Sequence, residues 1–350
     1  MTKNRIRLAG LALLVVLAFV GRAETSDDIF SRLINNRGKS ASFTHIAEHG
    51  GQVYASGFMS IPGWNPVHGV DTYNGGFAIV GDVIIYQRPQ GTDPFPTELY
   101  RSDLRGGNET VIAGDVLSYG GVWAAGNRII FASITETPDY DIESNGVYWY
   151  DVKTSQTTRL LPDLHDAFSF SFVSFDEDFV YFKISPAMEI WRVSWDGSHA
   201  EILNGVLFPD DFYKVEGKYY YCESIDYDAD ATEISRYSVK DGKKAGSYTV
   251  DATGLIAIKD GWAYFGNETG IYKINTNTGE TFKLADLAPN VYGWSFGGFE
   301  ENSVIGGNLY FSACFADVDF EKEGVHTNGL FKVQLNGGRM EYQNVGWFES

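Results

Sequence analysis

Three short runs of alternating acids are the part of this chain best suited to chemistry: Asp139-Tyr140-Asp141-Ile142-Glu143, Asp226-Tyr227-Asp228-Ala229-Asp230 and Asp317-Val318-Asp319-Phe320-Glu321. Each reads Asp-x-Asp-x-acid. Alternate side chains of an extended chain share a face, so each run presents a row of carboxylates. Hard cations such as Ca²⁺ take several oxygen ligands of this kind. That makes Asp139, Asp141, Glu143, Asp226, Asp228, Asp230, Asp317, Asp319 and Glu321 the candidate metal ligands. The run at Asp226 also opens like an EF-hand loop, but Ala231 and Tyr237 stand where that loop needs Gly at its sixth position and Glu at its twelfth. The intervening Tyr140, Tyr227 and Phe320 offer stacking surfaces for a sugar or a basic peptide, which an acidic face also steers. Solvated hairpins with charge on their wet side fit the same pattern. The runs therefore mark candidate sites for a protein or carbohydrate ligand, or for Ca²⁺, and leave the choice open.

Two strings match catalytic motifs and fail on context. His45-Ile46-Ala47-Glu48-His49 has the H-x-x-E-H spacing of a zinc protease, which needs both His one turn apart on a long helix. Gly50-Gly51 follows at once and strand-like residues flank it. Gly293-Trp294-Ser295-Phe296-Gly297 matches the nucleophile-elbow string, which needs a strand–turn–helix in a parallel sheet; here it reads as a connection between repeats. His68, His165, His199 and His326 share no common position in the repeat described next.

The elements that must carry the acidic runs are set by a sixfold repeat. One strand reads Ile84-Ile85-Tyr86, Ile129-Ile130-Phe131, Val180-Tyr181-Phe182, Tyr219-Tyr220-Tyr221, Ala263-Tyr264-Phe265 and Leu309-Tyr310-Phe311. A later one reads Leu99-Tyr100-Arg101, Val147-Tyr148-Trp149, Ile190-Trp191-Arg192, Ile234-Ser235-Arg236, Ile271-Tyr272-Lys273 and Leu330-Phe331-Lys332. The anchors Leu99, Val147, Ile190, Ile234, Ile271 and Leu330 recur every 37 to 59 residues, the scale of a propeller blade. Turns such as Gly81-Asp82, Gly217-Lys218 and Asp241-Gly242 separate the strands and suit tight hairpins. Unit one is expected as Phe77–Val80, Val83–Gln87, Glu98–Leu104 and Glu109–Ala113. The chain is thus predicted to be all-β, a six-bladed β-propeller of four-stranded antiparallel blades over 74–350, with seven blades as the alternative. Residues 24–73 supply a short capped helix, Thr25 to Asn36, with Ile29, Phe30, Leu33 and Ile34 on one face, and a closing strand around Gln52-Val53-Tyr54. The acidic runs fall on the second-to-third-strand connections of units two, four and six, which read as long loops.

Composition limits the partners. Acids outnumber Lys and Arg by 46 to 27, a formal net charge of −19, and removal of Lys3, Arg5, Arg7 and Arg22 leaves −23. Nucleic acid and anionic membranes need basic patches, so neither is an expected partner. Residues 1–23 read as an export signal: a basic head, an apolar stretch from Leu8 to Val20 and small residues at Gly21 and Ala23. That stretch is short for a permanent span, although an uncleaved anchor is the alternative, and a secreted or periplasmic location follows. Cys222 and Cys314 sit one whole unit apart, too far for a bridge between neighbouring strands, and are expected to be buried thiols.

The segments Glu98-Leu99-Tyr100-Arg101 and Glu189-Ile190-Trp191-Arg192-Val193-Ser194-Trp195-Asp196-Gly197 resemble the repeat of a bacterial propeller domain of unknown function, related to the propeller of low-density-lipoprotein receptors. That repeat runs Gly–Trp–x–Tyr–Tyr, then Leu–Tyr–Arg–x–x–x–Asp–Gly. Lys259-Asp260-Gly261-Trp262-Ala263-Tyr264-Phe265 fits its first half, and Asn74-Gly75-Gly76 its opening. The resemblance spans roughly residues 74–345 and implies a six-bladed propeller that binds something outside the cytoplasm. It transfers no catalytic residue, and the receptor branch's Tyr–Trp–Thr–Asp signature is absent. The expected function is a non-enzymatic binding module; the alternative is a metal-dependent propeller hydrolase, lactonase or lyase with its site at the channel mouth.

Overall fold

The structure is a computed structural model and describes residues 25–37, 40–44, 46–55, 65–66, 76–89, 97–117, 122–136, 142–161, 170–184, 189–206, 208–209, 211–288, 291–297, 303–315 and 328–343. Among the described residues, six four-stranded antiparallel units follow one another along the repeat. Unit one comprises Phe77–Val80, Val83–Pro89, Thr97–Asp103 and Thr110–Val116; unit two Val122–Ala125, Arg128–Glu136, Ile142–Asp151 and Gln156–Leu161. Unit three comprises Phe170–Phe175, Phe179–Ile184, Glu189–Ser194 and Ala200–Ile202; unit four Phe212–Glu216, Tyr219–Asp226, Ala231–Ser238 and Lys244–Asp251. Unit five comprises Leu255–Lys259, Trp262–Asn267, Gly270–Asn275 and Thr281–Asp286. Unit six comprises Val291–Gly297, Asn308–Phe315, Asn328–Gln334 and Glu341–Gln343, with Val304–Ile305 also pairing to its second strand. Each unit is a meander in sequence order, and a single bridge, Ser133 to Val116, links units one and two.

The fold is a β-propeller because each sheet turns one face to the next. Side chains opposite one another across an antiparallel pair share a face. Ile85, Ile130, Tyr221 and Tyr264 all pair with the residue two beyond the anchor, and each is buried against the following unit. Aromatic and β-branched residues fill these half-buried surfaces, as pleated sheets prefer. Backbone contact between neighbours is close: Gly197 has φ +69°, and a Cβ there would lie 2.3 Å from the Arg159 carbonyl oxygen of unit two. Only Gly fits that conformation and that approach without strain.

A donor two residues past the anchor latches most junctions. Arg101 donates to the Tyr150 hydroxyl (2.7 Å) and to Ser155 Oγ (2.9 Å). Trp149 Nε1 donates to the Trp195 carbonyl (2.6 Å), and Lys273 Nζ to the Leu335 carbonyl (2.9 Å). Arg236 donates to Asn277 Oδ1. In every case the acceptor lies in or beside the third-to-fourth-strand turn of the next unit. The junction of units three and four departs from this rule. Arg192 pairs with Glu201 of its own sheet and lies over Phe179, and the matching acceptor, the Val239 carbonyl, receives Ser31 Oγ instead (3.1 Å).

Ser31 belongs to the helix Ser26–Arg37, which fills that junction as a wedge. A capping box starts it: Asp28 N–H donates to Thr25 Oγ1, and Thr25 N–H to Asp28 Oδ2, both at 3.2 Å. Asp27 and Asp28 in the first turn and Arg37 in the last complement the helix dipole. Leu33 is buried among Val173, Tyr181 and Ile190 of unit three, and Ile34 among Tyr220 and Cys222 of unit four. Arg32 pairs with Asp176 (3.3 Å), and Ser174 Oγ donates to the Leu33 carbonyl (2.8 Å). The chain then runs along the first-strand edges: Ser40–Ser42 pairs with Val122–Ala125 of unit two, and Thr44 exchanges two backbone bonds with Phe77 of unit one. Ile46–His49, Gln52–Ala55 and Asn65–Pro66 form a separate three-stranded sheet packed on unit one through Ala47 and Tyr54. Among the described residues this segment makes its own sheet rather than adding a strand to unit six.

Cys222 is buried and free, and burial pushes its thiol up to about 12; the Cys314 side chain and residues 1–24, with the segment read as an export signal, lie outside the described residues. Among the described residues no helix is long and apolar enough to cross a membrane.

Candidate ligand-binding face

A four-stranded meander places its second-to-third-strand turn and its inter-unit connection at one end, and its other two turns at the opposite end. The acidic runs belong to the first end. In unit four, pairing continues from Tyr219 opposite Ser238 to Asp226 opposite Ala231, so the expected long loop is a four-residue turn on an extended hairpin. The carboxylates do not form the extended row that the alternation predicts. Asp226 Oδ1 accepts the N–H groups of Asp228 and Ala229, both at 3.1 Å, a side-chain-built turn, and Asp230 closes it with φ +49°. Asp226, Asp228 and Asp230 are exposed, and Tyr227 at the tip is 75% exposed. Among the described residues no three His, Cys, Asp or Glu side chains converge as a metal would need.

Glu143 of unit two is exposed and paired opposite Thr135. Asp139, Tyr140 and Asp141, and Asp317, Asp319, Phe320 and Glu321 of unit six, lie outside the described residues. The structure therefore places one of the three acidic runs in full and the edge of a second.

Just below the unit-four turn, Glu223 takes a structural role that the sequence did not signal. It pairs opposite the anchor Ile234 and accepts the Leu255 N–H at 2.6 Å, fastening unit five to unit four; burial pushes its carboxyl above the ordinary range. Gln87, opposite the anchor Leu99, does the same in unit one, donating to the Leu117 carbonyl (3.1 Å) and to Thr97 Oγ1 (2.9 Å). Thr97 and Thr232, each two residues before an anchor, donate to the Val116 and Ala252 carbonyls, at the end of the fourth strand of their own units and just past it.

The opposite end holds two concavities. One, of about 580 Å³, lies beside the helix C-terminus and is lined by Asn36, Arg128, Asp151, Asp176 and Glu177; Arg128 stacks there over Trp195 and Trp149, 4.0 and 4.8 Å from the ring centres. The other, of about 760 Å³, lies between the helix and the turns of unit four and is lined by Lys218, Tyr219, Lys240, Lys243 and Lys244. The signal for it was present in the sequence: four lysines lie at or beside the two turns that the repeat puts at the same end of one unit.

Neither catalytic string meets its structural requirement. Ile46–His49 is a strand whose hairpin turns at Gly50-Gly51, with His49 3.5 Å from Asp82; His45 lies outside the described residues. Gly293 to Gly297 lies within the first strand of unit six, not in a connection, and pairs antiparallel with Asn308–Phe315. His199 is exposed beside Glu201 (3.5 Å); His68, His165 and His326 lie outside the described residues.

No protein-family model matches the sequence, and no curated protein is significantly similar to it. Solved structures with a similar chain course include an oligogalacturonate lyase in complex with manganese, at 13% identity and TM-score 0.45 over 76% of this chain and 77% of that one. The β-propeller domain of the Trilobed protease from Pyrococcus furiosus is similar at 16% identity and TM-score 0.44, over 78% and 84%. The Pyrococcus horikoshii acylaminoacyl peptidase is similar at 13% identity and TM-score 0.44 over 77% of this chain, which spans only 44% of that protein. Likeness at this level assigns no activity to the chain.

Proposed function

We propose that the protein is an exported, non-catalytic β-propeller module that recognises a cationic protein segment through the acidic end of its units. The observation that carries this reading is Tyr227, 75% exposed on a turn ringed by Asp226, Asp228 and Asp230. An amphipathic ring held in water beside three carboxylates suits contact with Lys and Arg side chains, which stack on aromatic faces and pair with acids. The turn is held by Asp226 internally, so Asp228 and Asp230 are the carboxylates left to meet a ligand. The sequence resemblance to extracytoplasmic propeller domains supports the same reading, as does the basic and apolar N-terminal segment.

The test is a titration of a Lys/Arg-rich peptide into the full chain. Tyr227→Ala, and separately Asp228→Asn with Asp230→Asn, are expected to weaken binding about tenfold each, with thermal stability unchanged. Binding that is indifferent to both variants overturns the reading. Binding that vanishes with a chelator reassigns the acids to Ca²⁺.

A further inference from the structure

We propose that the cleft between the helix Ser26–Arg37 and the turns of unit four binds an anionic carbohydrate. Its lining reverses the sign of the molecule: Lys218, Lys240, Lys243 and Lys244 face one acid, Asp241, on a chain whose net charge is −19. Screening limits the field of the distant acids to about 8 Å at physiological salt, so an approaching anion meets the local lysines.

The charges are only partly compensated. Lys244 pairs with Glu233 (2.9 Å), and Lys243 reaches Asp241 at 3.6 Å while 81% exposed. Among the described residues no carboxylate pairs with Lys218 or Lys240. Behind the cleft wall, Arg236 lies 4.4 Å from the centre of the Tyr219 ring, and Lys218 5.1 Å from it. Arg236 is 8% exposed. Its guanidinium bonds the neutral Asn277, and its Nε has no hydrogen-bond partner. Among the described residues no carboxylate pairs with it, and a buried cation adds to the positive potential at this ring.

The shape of the site selects the chemical class. A lone phosphate is best held by converging backbone N–H groups or a bidentate Arg fork, and this cleft is built from neither. It offers lysine point charges on two separate turns, 217–218 and 240–244, with a tyrosine ring, Ser31 and Asn35 between them. Spaced cations match carboxylates or sulfates spaced along a polysaccharide, and the ring and amide match the apolar face and hydroxyl groups of a sugar. The helix supplies one wall, so the cleft exists only while the wedge is seated. This site lies at the end of unit four opposite Tyr227 and does not depend on the reading given to that residue.

Affinity electrophoresis of the full chain through gels containing polygalacturonate, neutral dextran or polyphosphate tests the proposal. Polygalacturonate is expected to retard the protein at low salt and dextran to leave it unaffected. Lys218→Glu with Lys240→Glu is expected to weaken retardation about tenfold, whereas Lys218→Arg with Lys240→Arg retains it and Asp228→Asn does not change it. Both lysines are exposed, so a melting curve matching wild type accompanies each variant. The proposal is overturned if polygalacturonate does not retard the protein, if the charge-reversed variant is retarded equally, or if polyphosphate binds at least as tightly, which makes the cleft a reader of charge alone.

Discussion

At one end of unit four, a four-residue turn holds Asp226, Asp228 and Asp230 around an exposed Tyr227. At the other, about 25 Å away along eight-residue strands, Lys218, Lys240, Lys243 and Lys244 line a cleft walled by the helix. Both ends belong to the same pair of strands, yet they are built differently. The acidic turn is held by its own hairpin and by Asp226. The basic cleft owes its wall to residues 31–35, whose neighbours Leu33 and Ile34 are buried in the seam of units three and four. Substitutions at the first end should therefore change binding and leave stability alone, while those that unseat the helix should lose stability and the cleft together.

The largest expected effect tests the helix. Leu33→Ala or Ile34→Ala removes a fully buried side chain from the junction that the helix fills, and each should cost about 2–5 kcal/mol, measured by denaturant melting. Polygalacturonate retardation should fall in step, while affinity for the cationic peptide persists in whatever fraction remains folded. Equal loss at both ends breaks the contrast.

Calcium tests the acidic end alone. If the acids at Asp226, Asp228 and Asp230 act as a recognition surface rather than a metal cage, a melting curve should be unchanged by a chelator or by added Ca²⁺. A calcium-dependent rise in Tm contradicts the peptide-binding reading of that end.

The smallest effect is a pH dependence that separates two glutamates of the same unit. Hydrogen bonds from Ser247, Lys244 and Ser235 hold Glu233 down at about 2. A depressed folded value gives stability that is present above about 4.5 and is lost as pH falls from there towards 2. Glu233 is 45% exposed, so screening keeps this below about 1 kcal/mol. Glu223 runs the other way: burial raises its carboxyl, so its contribution is greatest below the unfolded value and declines as pH rises through the folded one. Stability profiles of Glu233→Gln and Glu223→Gln against wild type should therefore diverge with opposite slopes in acid.

Much of the architecture was legible because the repeat writes it six times. The strands of unit one lie within three residues of their expected limits, and the helix expected over Thr25 to Asn36 is observed over Ser26–Arg37. The lengths of the connections were less legible. Apolar alternation fades where both faces of a hairpin reach water, so the ends of Tyr219–Asp226 and Ala231–Ser238 nearest the turn resembled a loop. The wedge was hidden for a different reason. An amphipathic face on the helix shows that it must pack, but its place between Tyr181 and Tyr220 is a long-range contact that no local pattern encodes. The lysine cleft depends on that placement, because the lysines become a cavity only once the helix stands opposite them.

The most direct test of the two-ended account is amide hydrogen exchange on the full chain with each ligand in turn. A Lys/Arg-rich peptide is expected to slow exchange around 224–232, and polygalacturonate to slow it around 217–219 and 239–245 together with the helix. Protection of the same segment by both ligands, or of neither segment by either, contradicts it.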